Sequence, residues 1–169
     1  MITDKFPLII GGDIIRNEDD LLARTEKGRN MMDVKSVRFL VVHCSATRSN
    51  QDYPVSQLRK DHLARGFYDI GYHFYIRKDG CMTQHRFLLE VGAHARPYNR
   101  CSIGICYEGG LDINGKPANT LTAAQYERIK DLISELKQLF PQAKVVGHRD
   151  LPGTSPKECP CLDAEKLFG

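Results

Sequence analysis

Val37-Arg38-Phe39-Leu40-Val41-Val42 is a short apolar run rich in β-branched residues, and it leads straight into His43 and Cys44. A run of this kind reads as a strand buried within a sheet. Outward from it the pattern alternates. A polar loop from Ser45 to Asp52 precedes Pro54, which opens a helix through about Arg65, with Leu58 and Leu63 facing inward and Gly66 as its stop. Tyr72 to Arg77 reads as a strand ending at the Lys78-Asp79-Gly80 turn. Ser102 to Tyr107 reads as another, closed by Gly109-Gly110. Thr122 and Gln125 form a capping box ahead of Tyr126, Ile129, Ile133, Leu136 and Phe140, whose spacing predicts a helix over 122–140 ended by Pro141. Lys144 to Gly147 is a last short strand before a tail rich in Pro, Gly and Cys. Interleaved strands and helices imply an α/β fold: a single domain with a central mixed β-sheet flanked by helices.

The length of 169 residues fits one domain, and 41% hydrophobic with 27% charged residues excludes collagen-like, low-complexity and fully disordered chains. Residues 1–36 differ from the rest. They carry Gly11-Gly12, a charged run around Arg16 to Asp20 and a polar stretch from Thr25 to Asn30, so they read as an N-terminal arm or peripheral extension to a domain at 37–169. A net charge of +3 without a run of four basic residues gives no reason to expect nucleic acid as a partner. No stretch approaches 18 apolar residues, so no membrane insertion is expected. Phe6 to Ile10 is too short for a signal-peptide core, which places synthesis in the cytoplasm. The six cysteines include no C-x-x-C pair, and most of them read as buried thiols rather than a disulfide framework.

Two of the six histidines stand at strand ends, where α/β sheets place their chemistry: His43 after Val37 to Val42, and His148 after Lys144 to Gly147. Two imidazoles on rigid strands plus one thiolate make a three-ligand zinc site with an open fourth position. Cys159 and Cys161 are the thiolate candidates. Lys157 lies two residues before Cys159, so in extended chain its ammonium points to the same side and would stabilise an oxyanion there.

Val42-His43-Cys44-Ser45-Ala46-Thr47, Gly71-Tyr72-His73-Phe74, Ser102-Ile103-Gly104-Ile105, Gly147-His148-Arg149-Asp150 and Lys157-x-Cys159-Pro160 follow one another in the chain. In this order they resemble the zinc N-acetylmuramoyl-L-alanine amidases, the family of phage lysozyme amidases and peptidoglycan recognition proteins. The likeness runs from about residue 37 to 168 and is strongest to the small phage enzymes. It implies one Zn²⁺ per chain on His43, His148 and Cys159, with Tyr72 and Lys157 as catalytic groups. His94, in Gly92-Ala93-His94-Ala95, matches a histidine lining the substrate groove, whereas His73 is left structural. The implied reaction is hydrolysis of the amide between N-acetylmuramic acid and L-alanine, with peptidoglycan or a muropeptide as substrate. A monomer of phage or prophage type, acting on the wall after release, is expected. Where recycling members carry a Glu after the Ser-Ile-Gly-Ile strand, this chain has Cys106, which favours the tyrosine-using branch. A cytosolic muropeptide-recycling amidase, a non-catalytic recognition module and a nucleic-acid-binding protein with a structural zinc are the alternatives.

Overall fold

The computed structural model describes residues 29–155 and 158–169. Residues 1–28, most of the expected arm, and Lys157 lie outside the described residues. Strands β1 (Phe39–Cys44), β2 (Thr47–Arg48), β3 (Phe74–Ile76), β4 (Met82–Gln84), β5 (Ser102–Tyr107), β6 (Gly110–Leu111) and β7 (Lys144–Gly147) alternate with helices α1 (Val55–Ala64), α2 (Ala123–Leu139) and α3 (Ala164–Phe168). Five strands form one sheet in the order β4-β3-β5-β1-β7, and β2 and β6 form a small parallel ladder beside it. Within the main sheet β3, β5, β1 and β7 run parallel, while β4 closes the edge antiparallel to β3. The sheet is therefore mixed, as expected.

Alternation along β1 sorts the two layers. Leu40, Val42 and Cys44 join Phe74, Ile103, Ile105 and Tyr107 in a core closed by Ile129, Leu132, Ile133 and Leu136 of α2 and by Phe168 of α3. Val41 and His43 face the other side, where Leu58 of α1, Ile70, Tyr75 and Cys106 make a second cluster. Residues 29–36, assigned from sequence to the arm, pack onto the domain edge. Met31 is 3% exposed within the main core, its amide bonds to the Leu89 carbonyl at 2.6 Å, and Asp33 caps a 3₁₀ turn over Val34–Ser36.

Three local expectations shift. The buried run extends to Cys44 because β5 continues to pair with it, His43 opposite Cys106 and Cys44 opposite Tyr107. In α1 the inward partner of Leu58 is His62, and Leu63 is 49% exposed. Tyr72 and His73 precede β3 rather than belonging to it, although the His73 amide still bonds to the Gly104 carbonyl. The stop of α1 holds: Gly66 adopts φ +91°, a conformation costly for any residue with a Cβ. All six cysteines are free thiols.

Candidate active site

The register of the parallel strands brings the two strand-end histidines together. β7 pairs with β1 as far as Gly147 opposite Val42, so the next residue on each strand is a histidine. Beyond that point β7 passes into a 3₁₀ turn, His148–Asp150, whose start is capped by the Asp150 carboxylate accepting from the Gly147 amide at 2.8 Å. The ring centroids of His43 and His148 are 4.5 Å apart.

The tail returns a thiol to the same place. The Arg149 amide bonds to the Cys159 carbonyl at 2.8 Å, and the Tyr107 hydroxyl donates to the Pro160 carbonyl at 2.5 Å. Gly147 permits this approach, because a Cβ there would meet Pro160 Cδ at 2.7 Å. Cys159 Sγ consequently sits 3.9 Å from His43 Nδ1 and accepts a hydrogen bond from the Cys44 amide at 3.4 Å. One donor atom each from His43, His148 and Cys159 fall within 4.8 Å of one another. Cys161 lies outside this trio, its sulfur 4.0 Å from that of Cys44.

These groups fit a zinc ion by their chemistry. Donor atoms around tetrahedral zinc are separated by roughly 3.3–3.8 Å, close to the sulfur–nitrogen distance seen here. Burial holds the His43 imidazole well below its usual protonation range, with His94 and His148 adding to the effect, and burial alone brings His148 to about 4. Both rings are therefore neutral at pH 7, with lone pairs available to a metal.

The trio opens onto a cleft of about 360 Å³ whose walls include Arg65, Phe67, Tyr72, His94, Arg96 and Asn99. Tyr72 stands beside the trio, its ring 5.0 Å from that of His43 and 5.3 Å from that of His62. Burial, with Cys106 and Cys159 nearby, raises its phenol well above 10, so it keeps its proton throughout the neutral range. Cys106 packs in the same cluster, fully buried. His94 lines the cleft, yet both ring nitrogens are engaged within the protein: Nδ1 lies 2.9 Å from His43 Nε2 and Nε2 lies 3.3 Å from Ser102 Oγ. His73 is buried away from the trio, accepting from the Gly104 amide at Nδ1 and donating from Nε2 to the Glu90 carbonyl at 2.7 Å. Sequence reasoning did not single out His62, whose Nδ1 accepts from the Gly71 amide at 2.8 Å, nor Ser102, Arg65 or Asn99. For His62 a signal existed, its i+4 spacing from Leu58.

A family model described as N-acetylmuramoyl-L-alanine amidase matches residues 33–161. The chain belongs to that family. An endolysin of Klebsiella phage KP32 is 39% identical over 129 residues, covering 76% of this chain and 83% of its relative. Among solved structures, the N-acetylmuramoyl-L-alanine amidase LysC from Clostridium intestinale aligns with a TM-score of 0.65 at 27% identity, over 79% of this chain and 84% of that one. A mutant of Drosophila PGRP-LB in complex with tracheal cytotoxin aligns with a TM-score of 0.60, also at 27% identity, over 84% and 85% of the two chains. The protein is thus an N-acetylmuramoyl-L-alanine amidase, hydrolysing the bond between N-acetylmuramic acid and the L-alanine of the peptide stem. Amidases of this kind are generally zinc-dependent, and the His-His-Cys trio is this amidase's possible metal site. Among its described residues no helix is long and apolar enough to cross a membrane.

Proposed function

We propose that this amidase is a lytic enzyme of intact peptidoglycan, holding one Zn²⁺ on His43, His148 and Cys159 and using Tyr72 and Lys157 at the scissile amide. The convergence of two imidazoles and one cysteine sulfur on the lining of an open cleft carries the reading. Zinc held there supplies Lewis acidity, enough to bring water to nucleophilic strength near neutral pH. The Tyr72 phenol, protonated at Oη, orients the attacking water and donates a hydrogen bond as negative charge grows on the attacked carbonyl oxygen. The Lys157 ammonium, two residues before Cys159, stabilises that same oxygen. The His94 ring forms part of the cleft wall against which substrate lies. Arg65 and Arg96 at the mouth suit a substrate carrying carboxylates.

Similarity to a phage endolysin supports action on the wall after release. The acting species in this proposal is a monomer, with no nucleic-acid partner. Two observations weigh against the alternatives. A recognition module without catalysis has no use for the thiolate, and Cys159 is present beside both imidazoles. A recycling enzyme carries a Glu where this chain buries the thiol of Cys106. The test pairs metal analysis with clearing of purified sacculi. One zinc per chain and chelator-sensitive clearing are expected, with sacculi turned over in preference to soluble anhydro-muropeptides. Cys159→Ser should lose zinc and activity together, and Cys161→Ser should keep both. Zinc retained by Cys159→Ser and lost by Cys161→Ser would reassign the thiolate.

A further inference from the structure

His94 makes more contacts inside the protein than a groove-lining residue requires. Its backbone is clamped: the Asn99 side-chain oxygen accepts from the amides of His94 and Ala95 at 2.9 and 2.8 Å. Its ring is seated against bare backbone of β5, since a Cβ on Gly104 would meet His94 Cγ at 2.6 Å. The ring is thereby fixed both in position and in plane, with Nδ1 on His43 and Nε2 on Ser102.

The direction of the hydrogen bonds follows from the far end. Ser102 is fully buried, and its hydroxyl lies 2.7 Å from the Tyr98 carbonyl, which can only accept. The single Ser102 proton therefore points to Tyr98, and Ser102 Oγ accepts from His94 Nε2–H. A neutral imidazole with its proton on Nε2 has a lone pair on Nδ1. His94 Nδ1 must then accept from His43 Nε2–H, which leaves the lone pair of His43 on Nδ1, the nitrogen 3.9 Å from Cys159 Sγ.

We infer that His94 is a positioning residue for the metal centre: through the chain Tyr98–Ser102–His94 it fixes His43 in the tautomer and orientation that aims Nδ1 at the ion. This rests on the metal assignment proposed above and adds a role for His94 distinct from contact with substrate. Partners of this kind, donating to or accepting from the second nitrogen of a ligand histidine, usually change metal affinity by about 10- to 100-fold when removed.

The measurement is the zinc dissociation constant, by competition with a chromogenic chelator, beside KM and kcat on soluble muropeptide. His94→Phe preserves ring bulk without an acceptor and should weaken zinc by about 10- to 100-fold. His94→Asn, whose side-chain oxygen falls near the position of Nδ1, should recover most of the loss. A residue that only contacts substrate would instead raise KM and leave zinc affinity at the wild-type value. Wild-type zinc affinity in His94→Phe overturns the inference. Should that variant not fold, Ser102→Ala carries the same test with the ring in place: weaker zinc supports the directed chain, and wild-type affinity overturns it. A wild-type protein that takes up no zinc would overturn the metal assignment itself, an outcome distinct from zinc binding that ignores His94.

Discussion

Tyr72 and Lys157 differ from the three proposed ligands in what their loss should do. Neither is needed to hold a metal, because His43, His148 and Cys159 already supply three donors. Both are assigned to charge that develops on the attacked carbonyl, and interactions realised only in the transition state appear in kcat rather than in affinity. Tyr72→Phe and Lys157→Ala should therefore fold, keep zinc and bind sacculi, with kcat reduced by about 10²- to 10³-fold each. Hydrolysis near the wild-type rate in Lys157→Ala would make that lysine a bystander. At this scale the sequence was readable where chemistry coincides with an element's end. His43 and His148 follow apolar runs, and the adjacency of those runs in a parallel register brings the rings together. It was unreadable for Ser102, Asn99 and the seat at Gly104. Their roles come from a loop at residues 94–99 folding across β5, which no local pattern encodes.

Helix α2 shows how a capping signal becomes a tertiary joint. Thr122 Oγ accepts from the Gln125 amide at 3.1 Å and donates to the Lys78 carbonyl at 2.6 Å. The buried Gln125 side chain returns a bond to the Thr122 amide and donates to the Ile76 and Glu108 carbonyls at 3.2 and 2.9 Å. The cap thus joins the helix start to the ends of β3 and β5. Thr122→Ala should lower unfolding free energy by about 1–2 kcal/mol, read from denaturant titration, while zinc content and kcat stay unchanged. A loss of activity in proportion would show that the joint also positions the cleft. The long periodic helix and the strands at 102–107 and 144–147 were legible because pattern and length agree there. Helix α1 was misread in register. Leu63 lies 500° around from Leu58 at 100° per residue, a net 140° off its face, whereas His62 lies only about 40° away. A polar imidazole in the inward position hid the face. Strand β4 and helix α3 escaped notice for another reason: Met82–Gln84 and Ala164–Phe168 are too short to show a period.

Taken over the whole molecule, the histidines make a pH-dependent contribution of one sign. His73 has both nitrogens on backbone groups, and burial lowers it to about 3; His62 and His85 are lowered to about 4, by burial first and by Arg65 and Arg59 next. In the unfolded chain each would protonate near the ordinary value of 6.5. Between that value and its folded pKa, each binds protons in the unfolded state that the native state refuses. The stability they contribute is therefore complete above about pH 6.5 and falls as the pH drops, by up to about 1.4 kcal/mol per pH unit for each histidine within its window. Asp69 and Glu108 act in the same direction but only lower down, because their folded pKa values lie below the ordinary carboxylate range. Denaturant titrations in chelator, which removes the metal's own proton competition, should show unfolding free energy level above about pH 7 and declining from about pH 6.5. The onset decides the cause. A decline that begins only near pH 4 would assign acid sensitivity to the carboxylates and leave the buried histidines without a part in it.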